Sequence, residues 1–176
     1  MGKGVDRFTN LRAWQACDVY KKAVYRLCLD TPLSRDWRRR DQLEESVAGP
    51  PAHLAEGFGR FSPPDFARFT VIARSSLMES QNHLRDAVDK NYITEETRLA
   101  LDTLAEAALG EVTGLMEYLQ SPEALRNARR ARERRIATRE QRKAQREPRS
   151  SEPGTPEPRT PEPRTSKFEV RSWNRT

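Results

Sequence analysis

Apolar residues return every three or four positions through most of the first 120 residues, in four stretches separated by turn chemistry. From about Asn10 to Leu29, the residues Leu11, Trp14, Cys17, Tyr20, Val24 and Leu27 recur at helical steps, with Asp18, Lys21, Lys22 and Arg26 between them. This pattern predicts an amphipathic helix. Asp30-Thr31-Pro32-Leu33-Ser34 interrupts it, and a second helix is predicted from Ser34 or Asp36. Its first turns are polar, with Trp37 standing among Arg35, Arg38, Arg39 and Arg40, and its apolar stripe runs through Leu43, Val47, Leu54 and Phe58. Gly49-Pro50-Pro51 falls inside that stripe. Two prolines remove two N–H donors and crowd the preceding turn, at roughly 3 kcal/mol or more each, so a kink or two helical pieces are predicted there.

The stretch Glu56-Gly57-Phe58-Gly59-Arg60 is expected to close the second helix, with Gly57 and Gly59 supplying the positive φ angles of a tight exit. Ser62 is a good N-cap, Pro63 suits the first helical position and Asp65 complements the dipole of the first turn. A third helix follows from about Pro63 to Lys90, with Phe66, Phe69, Ala73, Leu77, Ser80, Leu84 and Val88 as its buried stripe. Asn91-Tyr92-Ile93 is a short connection, Thr94 an N-cap, and Glu95-Glu96 the acidic first turn of a fourth helix. Leu101, Leu104, Ala108, Val112, Leu115 and Leu119 carry that helix to Ser121-Pro122. Four such helices with short links predict an all-α fold, an antiparallel up-down four-helix bundle over residues 1–120.

Ser121-Pro122-Glu123 caps a fifth helical pattern of another kind. From Arg126 to Glu147 its only large apolar residue is Ile136, so it has no face to offer a core. After Pro148 the chain is of low complexity, with Thr-Pro-Glu-Pro-Arg occurring at 155–159 and again at 160–164. Residues 121–147 are therefore expected to form a basic, Arg-rich helical extension, and 148–176 a disordered Pro-rich tail. Phe168, Val170 and Trp173 near the end are either a short docking peptide or incidental.

Charge sharpens that division. The chain carries a net charge of +6, but residues 1–120 hold 16 Lys/Arg against 18 Asp/Glu, whereas residues 121–176 hold 16 against 8. The basicity belongs to the C-terminal part, so attraction to a polyanion must come from there or from local Arg clusters. Cys17 and Cys28, the two cysteines, stand eleven residues apart on one helix, roughly 16 Å at 1.5 Å per residue and beyond disulfide reach. They read as reduced core residues, and with no apolar run of membrane-spanning or signal-peptide length the expectation is a soluble cytoplasmic protein.

No phosphate loop, dinucleotide fingerprint, zinc cysteine pairs or nucleophile elbow is present, so no catalytic residue, metal or cofactor is assigned and the protein is expected not to be an enzyme. The nearest approach to metal chemistry is His53 with Glu56 and Glu79 with His83. Di-iron bundles need about four carboxylates and two histidines pointing inward, and further acidic partners are missing here. Arg38, Arg39 and Arg40 at a helix start read equally as a phosphate clamp or as a solvated terminus. In the extension, Arg126, Arg129, Arg130, Arg132, Arg134, Arg135, Arg139, Arg142 and Lys143 exceed what solubility requires, and their expected partner is RNA or DNA, held through phosphates. The rival is a structural or protein-interaction module whose Arg-rich segment serves solubility.

Phe8-Thr9-Asn10-Leu11-Arg12-Ala13-Trp14-Gln15-Ala16, Gln42-Leu43, Pro51-Ala52-His53-Leu54-Ala55-Glu56-Gly57-Phe58-Gly59-Arg60 and Ile72-Ala73-Arg74-Ser75-Ser76-Leu77-Met78-Glu79 resemble, in order, the signature stretches of the bacterial four helix bundle protein family. The resemblance covers about residues 8–119, with Trp14, Gln42, Glu56, Gly57 and Gly59 as signature positions and Arg60 as one further candidate phosphate contact. That family includes proteins encoded in intervening sequences of large-subunit ribosomal RNA genes, and it is similar to the accessory variability protein of diversity-generating retroelements. The second likeness implies a barrel-like homopentamer that binds nucleic acid and assists a reverse transcriptase.

Overall fold

The computed structural model describes residues 5–60 and 62–146. The chain divides into two compact units, Met1–Ala137 and Thr138–Thr176, and the predicted disorder of 148–176, with the docking peptide at its end, lies outside the described residues. Among the described residues there are five α-helices: α1 (Arg12–Asp30), α2 (Trp37–Gly59), α3 (Pro63–Asp89), α4 (Glu95–Gln120) and α5 (Pro122–Arg146). Short 3-10 turns at Phe8–Asn10 and Pro32–Arg35 precede α1 and α2. In the first unit α1 packs on α2, α2 on α3, α3 on α4 and α4 back on α1. Consecutive helices are neighbours and the cycle closes, which is the up-down bundle that short links enforce.

The core follows the predicted stripes. Cys17, Tyr20 and Val24 of α1 meet Leu43, Val47 and Leu54 of α2, Ala73, Leu77 and Leu84 of α3, and Ala105, Ala108 and Val112 of α4. Phe58, Phe69, Val88, Leu104 and Leu115 are only partly buried against it. The 3-10 turn before α2 adds Leu33, which is fully buried. Both cysteines are free and buried, and burial pushes each thiol up to about 12.

Two expectations about backbone are corrected. Of the two alternatives at Gly49-Pro50-Pro51, the division into two helical pieces does not occur: α2 runs as one helix from Trp37 to Gly59 with both rings buried. Gly49 eases the first of them, because a residue without Cβ has less to clash with the following proline ring. The exit at Gly57 and Gly59 uses no positive φ, and among the described residues no glycine has one. Arg60 closes α2 in right-handed geometry, its N–H donating to Gly57 O at 3.1 Å. Gly57 is instead a close-packing position, where a Cβ would lie 2.3 Å from Phe66 Cδ2 and 2.8 Å from Phe69 Cβ.

The left-handed turn lies elsewhere, at Asn91 with φ 58°. The N–H of Asn91 donates to Val88 O at 2.8 Å and that of Tyr92 to Ala87 O at 2.9 Å. This pair of bonds satisfies the last carbonyls of α3 in a Schellman motif. Caps behave unevenly: Thr94 Oγ1 accepts the Thr97 N–H and Asp36 the Arg39 N–H, each at 3.2 Å. Ser62 holds the N-cap position of α3 in extended geometry, but its hydroxyl makes no capping bond.

Candidate nucleic-acid interface

Helix α5 begins as its sequence requires. Ser121 Oγ accepts the Ala124 N–H at 3.2 Å, Pro122 occupies the first position and Glu123 the first turn. Alanine and arginine are both good helix formers, so the segment needs no core to favour the helical backbone locally. Ala124 is buried and Ala128 half-buried, but every residue from Arg129 to Gln145 is exposed. Pro122–Arg146 contains ten Lys/Arg and three Asp/Glu. Arg126, Arg129, Arg130, Arg132, Arg134, Arg135, Arg139, Arg142 and Lys143 therefore all stand at the surface, and Arg129 Nε donates to Glu133 Oε1 at 3.2 Å one turn on.

The arginines of α2 are placed differently. Arg38 is exposed, but Arg39 Nη1 sits 3.1 Å from Asp86 Oδ2 and Arg40 pairs with Asp41 at 3.1 Å and Glu44 at 3.9 Å. Arg60 Nη2 is 2.5 Å from Glu56 Oε1, with its guanidinium 5.2 Å from the centre of the Phe69 ring. Three of these four cations thus already have carboxylate partners. A small cleft of about 130 Å³, lined by Gly57, Phe58, Ser62, Pro63, Phe66, Leu119 and Ala128, places the α2–α3 link beside the first turns of α5. Arg60 therefore belongs to the α5 end of the bundle. Arg38–Arg40 lie about 30–33 Å away, at the far end of α2, given 20 to 22 residues at 1.5 Å each.

The histidines converge in a way that pairwise spacing concealed. His53 and His83 line one cleft of about 590 Å³ between α2 and α3, with Gln42, Glu45, Ser46, Gly49, Ser76 and Glu79. Glu79 Oε1 is 3.8 Å from His83 Nε2, while Glu56 faces Arg60 instead. Among the described residues no group of three or more His, Cys, Asp or Glu is placed to hold a metal ion. The signal was present as a second helical stripe: 42, 46, 49 and 53 on α2, and 76, 79 and 83 on α3. Of the signature positions, Trp14 is half-buried and packs edge-on to Phe8 at 5.5 Å, Gln42 lines this cleft, Gly57 lies under Phe66, and Gly59 ends α2.

A family model described as 23S rRNA-intervening sequence protein matches residues 9–114. The match spans α1 to α3 and most of α4, and it stops before α5. Comparison with curated proteins finds no match.

Proposed function

We propose, for a chain that belongs to the 23S rRNA-intervening sequence protein family, a non-enzymatic helical bundle that assembles as an oligomer and contacts RNA or DNA through phosphates, with α5 as the contacting element. The observation that supports this reading is α5 itself, exposed from Arg129 to Gln145 and carrying ten basic residues. From Arg129 onward the helix gains nothing from burial, and its crowded cations repel one another. A polyanion removes that repulsion and releases its own counterions on binding. The family description supports RNA as the polymer. Likeness to the accessory variability protein supports the finer assignment, a homopentamer beside the reverse transcriptase of a diversity-generating retroelement. A neighbouring reverse-transcriptase gene with template and variable repeats favours that assignment, whereas a position inside a ribosomal RNA gene favours the intervening-sequence one.

Two further observations bear on the setting. The buried free thiols, and the absence among the described residues of a helix long and apolar enough to cross a membrane, support a cytoplasmic location. The net −2 of residues 1–120 and the ion pairs of Arg39, Arg40 and Arg60 favour the second reading, a protein-interaction module without nucleic acid.

Titration of the full chain with RNA and DNA of unrelated sequence across a salt series separates the two. Phosphate contacts make log K fall by about 0.7 to 0.9 per contact for each unit of log salt. Arg126, Arg130, Arg132 and Arg139 changed together to Gln keep helix propensity and remove charge, so affinity drops and the slope flattens. The same exchange at Arg38, Arg39 and Arg40 leaves both nearly unchanged. If the unchanged protein binds neither polymer at low salt, or the α5 variant binds as it does, the module reading replaces this one.

A further inference from the structure

Several carboxylates of α2 and α3 already have arginine partners: Asp41 and Glu44 meet Arg40, Glu56 meets Arg60 and Asp86 meets Arg39. Glu45 and Glu79 do not. Among the described residues neither is paired with a lysine or arginine, and Glu79 has only His83 Nε2, at 3.8 Å. Both line the cleft of about 590 Å³ between the two helices, and no lysine or arginine is in its lining. Two like charges sharing a cleft favour the entry of a cation and disfavour a phosphate or carboxylate ligand.

The cleft is ordered along its length. Gly49 on α2 stands opposite Ser76 on α3, since a Cβ added to the glycine would lie 3.4 Å from Ser76 Oγ and 3.5 Å from His53 Nε2. The helices run antiparallel, so one turn back from Gly49 and one turn on from Ser76 bring Glu45 and Glu79 to about the same height. One turn the other way along α2 stands His53. The missing Cβ leaves the Ser76 hydroxyl and the His53 imidazole beside one gap, and among the described residues neither has a hydrogen-bond partner. Ala48 and Ala52 continue the lining with small side chains.

The geometry points to a binding site for a small organic cation with a guanidinium at one end and an amine at the other. The guanidinium lies between Glu45 and Glu79, because its planar fork of N–H donors serves a carboxylate on either side. A short methylene chain passes over Ala48, Gly49 and Ala52. The amine then donates to Ser76 Oγ and to the acceptor nitrogen of a neutral His53. Glu45 and His53 are eight residues apart, about 12 Å along α2, which sets the reach of the ligand. This site needs neither α5 nor a polyanion, so it stands apart from the proposed function.

Isothermal titration calorimetry of the full chain at low salt, without nucleic acid, tests it with agmatine as the probe. One agmatine per chain is expected to bind, and putrescine, with an ammonium in place of the guanidinium, to bind at least about tenfold more weakly. Glu45→Gln with Glu79→Gln keeps the shape of the cleft and removes its charge, and Ala52→Leu fills it from an exposed position. Each is expected to lower agmatine affinity by about tenfold or more, with helical circular dichroism unchanged. Asp65→Asn, on α3 but outside the cleft, is expected to bind as the unchanged protein does. Agmatine that does not bind, or that binds both cleft variants as well as the unchanged protein, overturns the site. Putrescine binding as tightly as agmatine overturns the guanidinium assignment. Tighter binding of Nα-acetyl-arginine methylamide than of agmatine overturns the small-molecule occupant and gives the cleft to an arginine of a peptide.

Discussion

At Gly57 there is room for hydrogen and for nothing larger, since Phe66 and Phe69 close over it. Gly57→Ala is expected to lower stability by about 1–3 kcal/mol through overpacking, measured as a lower melting temperature. Gly59→Ala, where an added Cβ meets nothing within 4 Å, is expected to leave the melt unchanged or raise it slightly. The two glycines look alike in the sequence, where both suggest a turn, and only the neighbour across the helix interface separates them. A second residue-scale test lies in the core. Tyr20 and Ser80 share a buried hydrogen bond of 2.9 Å, and the serine hydroxyl also donates to Leu77 O at 2.7 Å; burial pushes the Tyr20 hydroxyl up to about 12. Ser80→Ala leaves the phenol buried without its partner, at about 1–3 kcal/mol, whereas adding Tyr20→Phe recovers much of that loss. Thermal melts of the four proteins give the coupling directly, and additive losses would show that the bond contributes nothing.

Among the elements, α2 depends most on its ends and neighbours. Its N-cap, Asp36, accepts the Arg39 N–H at 3.2 Å and the Tyr92 hydroxyl at 2.9 Å. The backbone donor first, and then the phenol, hold that carboxyl below the usual carboxylate range. A depressed folded-state pKa favours folding above the ordinary value of about 4 and loses that contribution as pH falls through the lower one. Melting temperatures between pH 6 and pH 2 are expected to drop along this limb. Asp36→Asn, which still caps, should flatten it, and an unchanged acid limb would show that other carboxylates carry it. Asp36 was legible as a helix start from the sequence, but the hydroxyl of Tyr92, 56 residues away, was not. Likewise Gly49-Pro50-Pro51 read as a kink or a division into two pieces, and the second alternative is the one the structure removes. Two prolines disfavour continuity locally, and the buried setting of both rings in the folded chain is what a sequence window does not contain.

For the molecule as a whole, the part of α5 beyond Ala128 is expected to be separable from the bundle in energy. Among residues 125 to 145 none is buried, so a chain ending at Ala131 is expected to keep its helical circular dichroism and cooperative melt while losing most nucleic-acid affinity. A molten product would show that the C-terminal half of α5 supports the fold. The four stripes were readable without coordinates because an amphipathic helix records its buried face as a 3.6-residue period, and short links leave few ways to arrange four of them. The exposure of the basic residues on α5 was readable too, because a helix without an apolar face is conspicuous in one dimension. The tertiary structure alone decided which arginines of α2 already have carboxylate partners, that Glu56 faces Arg60 while His53 and His83 share a cleft, and that the glycine before Phe58 serves contact and not turning. Those facts depend on distances between residues far apart in the chain, and a period along one helix does not encode which face of a neighbouring helix it will meet.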